Sequence, residues 1–130
     1  MVVDTSALLA VIFEEAEAAV FAEILATSDN TLCSAVSVLE AGIVIEARKG
    51  RAAGNDFQVF LDLAKIKVVE FSGEQARIAT QAWRKFGKGN HKAGLNMGDC
   101  CVYALSKATR QALLFKGNDF ALTDLATVKY

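Results

Sequence analysis

Three carboxylates stand alone in this sequence. Asp4 is the only charged residue between Met1 and Phe13, Glu40 the only one between Asn30 and Ile45, and Asp99 the only one between Ala93 and Ser106. With 22% of residues charged, a charge flanked by twelve uncharged positions is expected about one time in twenty if positions are independent. Three such acids therefore mark their segments. A fourth, Asp119, follows the apolar run Leu113 to Phe115 through the turn Lys116-Gly117-Asn118, with Asp124 as its competitor for the same place. Two carboxylates about 6 Å apart repel by roughly 3 kcal/mol at an effective dielectric of 20, so three or four in one pocket either take up protons or bind a cation. An all-oxygen set without His or thiolate suits Mg²⁺ or Mn²⁺ rather than zinc, and such an ion keeps waters that can be activated against a phosphodiester. Taken singly, Asp4 before Thr5 and Asp99 after Gly98 also read as helix N-caps. Glu40, mid-helix on an apolar flank, has no such explanation.

The acids can meet only if the chain carries them to one edge. Val2 to Asp4, Thr31 to Ser34, Lys67 to Phe71 and Ala112 to Phe115 read as short buried strands. Helices are expected between them. One is capped by Thr5 or Ser6 and runs to Phe13, and the next passes through Ala16, Val20, Ile24 and Leu25. Further helices span Ala35 to Lys49, the Phe57 to Ala64 segment, Gly73 to Phe86, and about Gly98 to Thr109. Strands alternating with helices imply a mainly parallel sheet covered on both faces, and in such sheets ligands gather outside the carboxyl ends of the strands. Asp4 and Asp119 follow strands, Asp99 opens a helix, and Glu40 lies one turn from Val36 and Val44, so all four can face that edge.

At 130 residues the chain makes one domain, 1–130, with a real core. Fourteen Lys and Arg against fifteen Asp and Glu leave a net charge of −1, and 53% hydrophobic residues mark a globular rather than a disordered chain. Bulk electrostatic attraction to nucleic acid is excluded by that balance, but a local basic patch beside a metal is not. No run of 18 uncharged residues offers a membrane helix, and the apolar start holds Asp4 in place of a basic leader. Cys33, Cys100 and Cys101 are an odd number embedded in apolar sequence. They read as packing residues in a reducing compartment, which makes the cytoplasm the expected location.

The chain resembles a PIN domain of the VapC type, the toxin ribonuclease of bacterial and archaeal toxin–antitoxin pairs. The resemblance rests on Val2-Val3-Asp4-Thr5-Ser6-Ala7-Leu8, Ser34-Ala35-Val36-Ser37-Val38-Leu39-Glu40, Ala93-Gly94-Leu95-Asn96-Met97-Gly98-Asp99-Cys100 and Leu113 to Phe120 with Thr123-Asp124-Leu125, in that order over the whole chain. It implies a three-layer α/β/α PIN-like fold with a mainly parallel central sheet. It also implies a catalytic and metal-binding quartet at Asp4, Glu40, Asp99 and Asp119, with Mg²⁺ or Mn²⁺ as cofactor and RNA as substrate. Asp4 and Asp99 would be the surest ligands. The partners it implies are a VapB-type antitoxin, a second copy in a homodimer, and DNA only indirectly through the antitoxin.

RNA approaching an acidic pocket needs cations at its rim, and Arg84, Lys85, Lys88 and Lys92, with His91, form a window free of acids. Arg48, Lys49 and Arg51 sit at a helix end, where the dipole favours cations, and read as structural or antitoxin-facing. His91, in a Gly- and Lys-flanked loop, reads as structural. Trp83, spaced with Ala79 and Phe86, reads as core. The apolar faces of Leu8, Leu9, Ile12 and Phe13 and of Val20, Phe21, Ile24 and Leu25 could await a partner helix. Two other functions compete with the nuclease: a catalytically silent binding module of the same fold, and a phosphoryl-accepting domain with Asp4 as nucleophile. The latter expects a second acid where this chain has Ser6.

Overall fold

The computed structural model describes Met1 to Tyr130. Four strands, β1 (Val2–Val3), β2 (Thr31–Ser34), β3 (Ile66–Val69) and β4 (Leu113–Leu114), form one sheet in the order β3-β2-β1-β4, and every pairing is parallel. Six helices surround it: α1 (Thr5–Ile12), α2 (Ala18–Thr27), α3 (Ala35–Lys49), α4 (Arg51–Leu63), α5 (Gly73–Phe86) and α6 (Met97–Thr109), with a short 3-10 turn at Phe120–Leu122.

The strands are apolar on both sides because the sheet is buried on both sides. Side-chain alternation divides them between two cores. Val2, Leu32 and Leu113 pack with Ala79, Ala82 and Phe86 of α5 and Val102 and Leu105 of α6. Val3, Cys33 and Leu114 pack with Leu8 of α1, Phe21 and Leu25 of α2, Ile45 of α3 and Phe57 and Leu61 of α4. The expected three-layer α/β/α arrangement with a parallel sheet is therefore what the chain adopts.

Because β1 is followed by β2 on one side while β4 lies on its other side, the strand order reverses at β1, and a crevice opens between the carboxyl ends of β1 and β4. Asp4 N–H donates to the Leu114 carbonyl at 2.9 Å, which ties those two ends together. Gly50, at φ +88°, joins α3 directly to α4, a turn whose left-handed backbone favours glycine.

Several boundaries differ from the sequence reading, each for a local reason. Of the cap candidates the sequence offers for α1, the cap is Asp4, whose carboxylate accepts from Ser6 N–H, and not Thr5 or Ser6. β3 ends at Val69, and Phe71 is partly exposed. α6 starts at Met97 because Asn96, not Gly98 or Asp99, supplies its cap. Of the apolar faces of α1 and α2, Leu8, Phe21 and Leu25 are buried in the core, while Leu9, Ile12, Phe13, Val20 and Ile24 stay half-buried at its edge. The exposed large apolar side chains are others, among them Leu39, Ile43, Leu63 and Met97.

Candidate active site

Asp4 ends β1 and caps α1, which buries its carboxylate at the crevice. Its Oδ2 accepts from the Ser6 N–H at 2.9 Å and from the Ser6 hydroxyl. The Ser6 Oγ in turn accepts from the Lys116 N–H at 3.0 Å, so one hydroxyl links the ends of β1 and β4. Burial raises the Asp4 pKa from its ordinary value; the Ser6 bonds oppose this and the charge of Glu40 adds to it.

Asp99 lies in the first turn of α6 and completes a capping box: its N–H donates to Asn96 Oδ1 and its Oδ2 accepts from Asn96 N–H, both at 2.9 Å. The cap reading and the site reading of Asp99 are thus compatible, because the box uses one oxygen and leaves Oδ1 without a protein donor. Burial pushes the Asp99 carboxyl up to about 6 against the Asn96 bond, helped by the charges of Asp4, Asp119 and Glu40. With Asp99 itself, these carboxylates come from four separate segments of chain. The charges of Asp4, Glu40 and Asp119 thus act on Asp99, and none of the four is ion-paired to a Lys, Arg or His.

Glu40 reaches the pocket from α3 across the start of α6. A Cβ on Gly98 would fall 2.5 Å from Glu40 Oε2, so the missing side chain is what allows the carboxylate to lie against that turn. Asp119 is exposed at the N-terminal end of the 3-10 turn. Asp124 is placed differently: it accepts from the Tyr103 hydroxyl at 2.6 Å and Lys107 Nζ at 2.9 Å, with Lys85 Nζ at 3.6 Å. Partial burial would raise its pKa, but these donors outweigh burial and hold it down at about 2. Of the two competitors, Asp119 acts on Asp99 through its charge and has no ion pair, whereas Asp124 is occupied by cations.

The donor set fits a hard divalent cation. It is all oxygen, it lacks a counter-cation, and burial together with neighbouring carboxylate charge disfavours the charged forms of Asp4 and Asp99. No three of the acids already stand as a cage for an ion. An open arrangement suits Mg²⁺ chemistry, in which one or two carboxylates bind and waters complete the octahedron.

The basic window divides. Lys88 lines a groove of about 520 Å³ beside Asn96 and Met97, with Phe71 and Trp83 on its walls and Cys100 and Cys101 at its base. Lys85 leans to the other flank of α5, toward Asp124 and over the Phe86 ring. Arg84 and Lys92 are exposed and free of ion pairs. Trp83 is 49% exposed, which corrects its reading as core: its spacing with Ala79 and Phe86 locates the helix, but the ring lies toward the groove. His91 Nδ1 accepts from the Ala93 N–H at 3.0 Å and its ring meets Phe86 edge-on, a structural role as expected. Arg48 and Lys49 stack over Phe13. Burial, with the charge of Asp4, pushes the Cys33 thiol up to about 12, and burial, with Asp99 and Cys101, pushes Cys100 to about 11, so both stay protonated packing groups. Sequence reasoning missed Ser6 and Asn96; the Asn-x-x-Asp spacing of a capping box was the available signal for Asn96.

A family model described as PIN domain matches residues 1–125. Ribonuclease VapC30 of Mycobacterium tuberculosis is 45% identical over 128 residues, covering 98% of this chain and 98% of that protein. The chain belongs to the VapC ribonuclease family of PIN-domain proteins. Ribonuclease VapC of Mycolicibacterium smegmatis is 44% identical, covering 98% of this chain and 99% of its own length. In fold, the chain matches the crystal structure of Mycobacterium tuberculosis VapC20, described as a sarcin-ricin loop cleaving toxin, with a TM-score of 0.77 at 16% identity over 99% of this chain and 98% of that one. It also matches VapBC2 from Rickettsia felis, solved with a DNA fragment from its promoter, with a TM-score of 0.77 at 12% identity over 98% of this chain and 96% of that one. No helix is long and apolar enough to cross a membrane.

Proposed function

We propose that this chain is an endoribonuclease, the toxin of a toxin–antitoxin pair, that hydrolyses RNA phosphodiesters with Mg²⁺ or Mn²⁺ held by Asp4, Glu40, Asp99 and Asp119. What supports this reading is that the charges of Asp4, Glu40 and Asp119, carried by three other segments, act on Asp99 and that none of the four is paired to a cation. Its relatives' names as VapC ribonucleases support the reaction class.

Each acid has a distinct part. Asp4, held by Ser6, and Asp99, with Oδ1 free, would be the direct ligands, while Glu40 and Asp119 would complete the site or act through water. When bound, the ion supplies a nucleophilic water at neutral pH and neutralises the scissile phosphate. No side-chain nucleophile is then required, in keeping with thiols that stay protonated.

The RNA path runs along the Lys88 groove with Arg84 and Lys92 at its margin; Lys85, drawn toward Asp124, contributes least. An exposed Trp83 in that groove offers an unpaired base a stacking surface. Lys88→Ala is expected to raise KM for single-stranded RNA with kcat unchanged and to lower the slope of log affinity against log salt by about 0.7, measured by binding titrations from low to high salt. An antitoxin partner fits the likeness to VapBC assemblies, and DNA contact would come through that partner. A homodimer remains part of the proposal.

The test is to purify the chain free of any partner, incubate it with a mixed RNA pool in Mg²⁺, Mn²⁺ or chelator, and map the cuts. Metal-dependent internal cleavage is the expected result. A folded protein that cuts none of the pool under any metal condition would return the chain to a silent binding module.

A further inference from the structure

One lysine has its backbone beside Asp4 and its ammonium bound elsewhere. Lys116 follows Phe115 at the end of β4, and its main chain is two hydrogen bonds from the Asp4 carboxylate, through Ser6; Asp119 lies three residues on. The Lys116 ammonium nevertheless binds outward, at 2.7 Å from Glu15 Oε2 and 2.8 Å from Glu17 Oε2, on the link between α1 and α2. Glu17 Oε2 is shielded from solvent and has no partner other than the Lys116 ammonium, which neutralises it. A lysine is a point charge on a flexible four-carbon stem. Released from the glutamates, that stem still springs from a backbone two hydrogen bonds from the Asp4 carboxylate and three residues before Asp119.

We propose that Glu15 and Glu17 form a clamp that withholds the Lys116 ammonium from the acidic pocket and so keeps the pocket open to the divalent cation. The clamp rests on the metal reading above. It makes Glu15 and Glu17 positioning residues that touch neither substrate nor metal. The hydrogen bonds that the ammonium donates to the two glutamates raise the Lys116 pKa to about 12, so it stays charged across the neutral range.

The test uses Mn²⁺ alone, its binding to the protein followed by loss of the free-ion paramagnetic resonance signal, with a thermal melt of each variant. Glu15→Gln with Glu17→Gln is expected to weaken Mn²⁺ binding by at least about tenfold, because the freed ammonium competes for the same carboxylates. Adding Lys116→Met to that pair is expected to restore binding to near the wild-type value, an outcome that a purely structural role for the glutamates would not give. Lys116→Met alone is expected to bind Mn²⁺ at least as tightly as wild type, which keeps the idea testable if the paired variant melts early. Unchanged binding in the paired variant, no recovery in the triple variant, or weakened binding in Lys116→Met overturns the clamp. If wild type and Asp99→Asn bind Mn²⁺ alike, or neither binds, the metal reading itself fails and the clamp with it.

Discussion

Replacing Asp99 by Asn is expected to lower metal-dependent RNA cleavage by about a thousandfold, the equivalent of roughly 4 kcal/mol of transition-state stabilisation. The fold should survive. The Asn amide oxygen can still accept from Asn96 N–H in the capping box, and Asn96 still caps the Asp99 position's N–H. The change also removes one of four charges that repel one another, so thermal stability without metal should hold or rise. Initial rates with Mn²⁺ and a melting curve on the same preparation check both halves. Activity retained within a few-fold would remove Asp99 from the site, and a collapsed melting temperature would make it a structural cap above all.

Without metal, the protein is expected to become less stable as pH rises from about 4 to about 7. Asp99 titrates at about 6 in the folded protein against its ordinary 3.8. Between those values the folded state holds more protons than the unfolded state, so the free energy of unfolding falls with rising pH. Asp4, shifted in the same direction by burial, adds to the slope. After discounting for the contact of Asp99 with solvent, the loss amounts to about 1–2 kcal/mol. Mn²⁺ at about a hundred times its Kd should return about 2.7 kcal/mol at pH 7.5, and less at pH 5, where protons compete for the carboxylates. Urea denaturation at both pH values, with Mn²⁺ and with chelator, measures all four corners. Metal-free stability that climbs with pH over this window, or a Mn²⁺ gain equal at both pH values, would contradict a pocket of mutually repelling acids.

The elements that carry the acids were legible because local pattern and tertiary burial agree in them. α3 and α5 have the boundaries their periodicity implies, Ala35–Lys49 and Gly73–Phe86, with a serine cap before each. The isolation of Asp4, Glu40 and Asp99 was legible because each is the single charge in an apolar segment, buried around Asp4 but exposed at Leu39, Ile43 and Met97 beside the other two. Trp83 was misread because helical spacing says which residues share a side but not how far a neighbouring element covers it. The choice between Asp119 and Asp124 lay outside the sequence, since it depends on Tyr103, Lys107 and Lys85 reaching Asp124 from two other helices. The link from Lys116 through Ser6 to Asp4 joins residues 110 positions apart, and no local pattern encodes such a contact.

The central claim is that the four acids hold the catalytic ion, and it is tested most directly by locating that ion. Crystals grown with Mn²⁺ and measured above the manganese absorption edge should show an anomalous peak about 2.1 Å from carboxylate oxygens of Asp4 and Asp99, with Glu40 and Asp119 beside it directly or through water. A peak only at Asp124 or on the outer surface, with none among the quartet at saturating Mn²⁺, would contradict it.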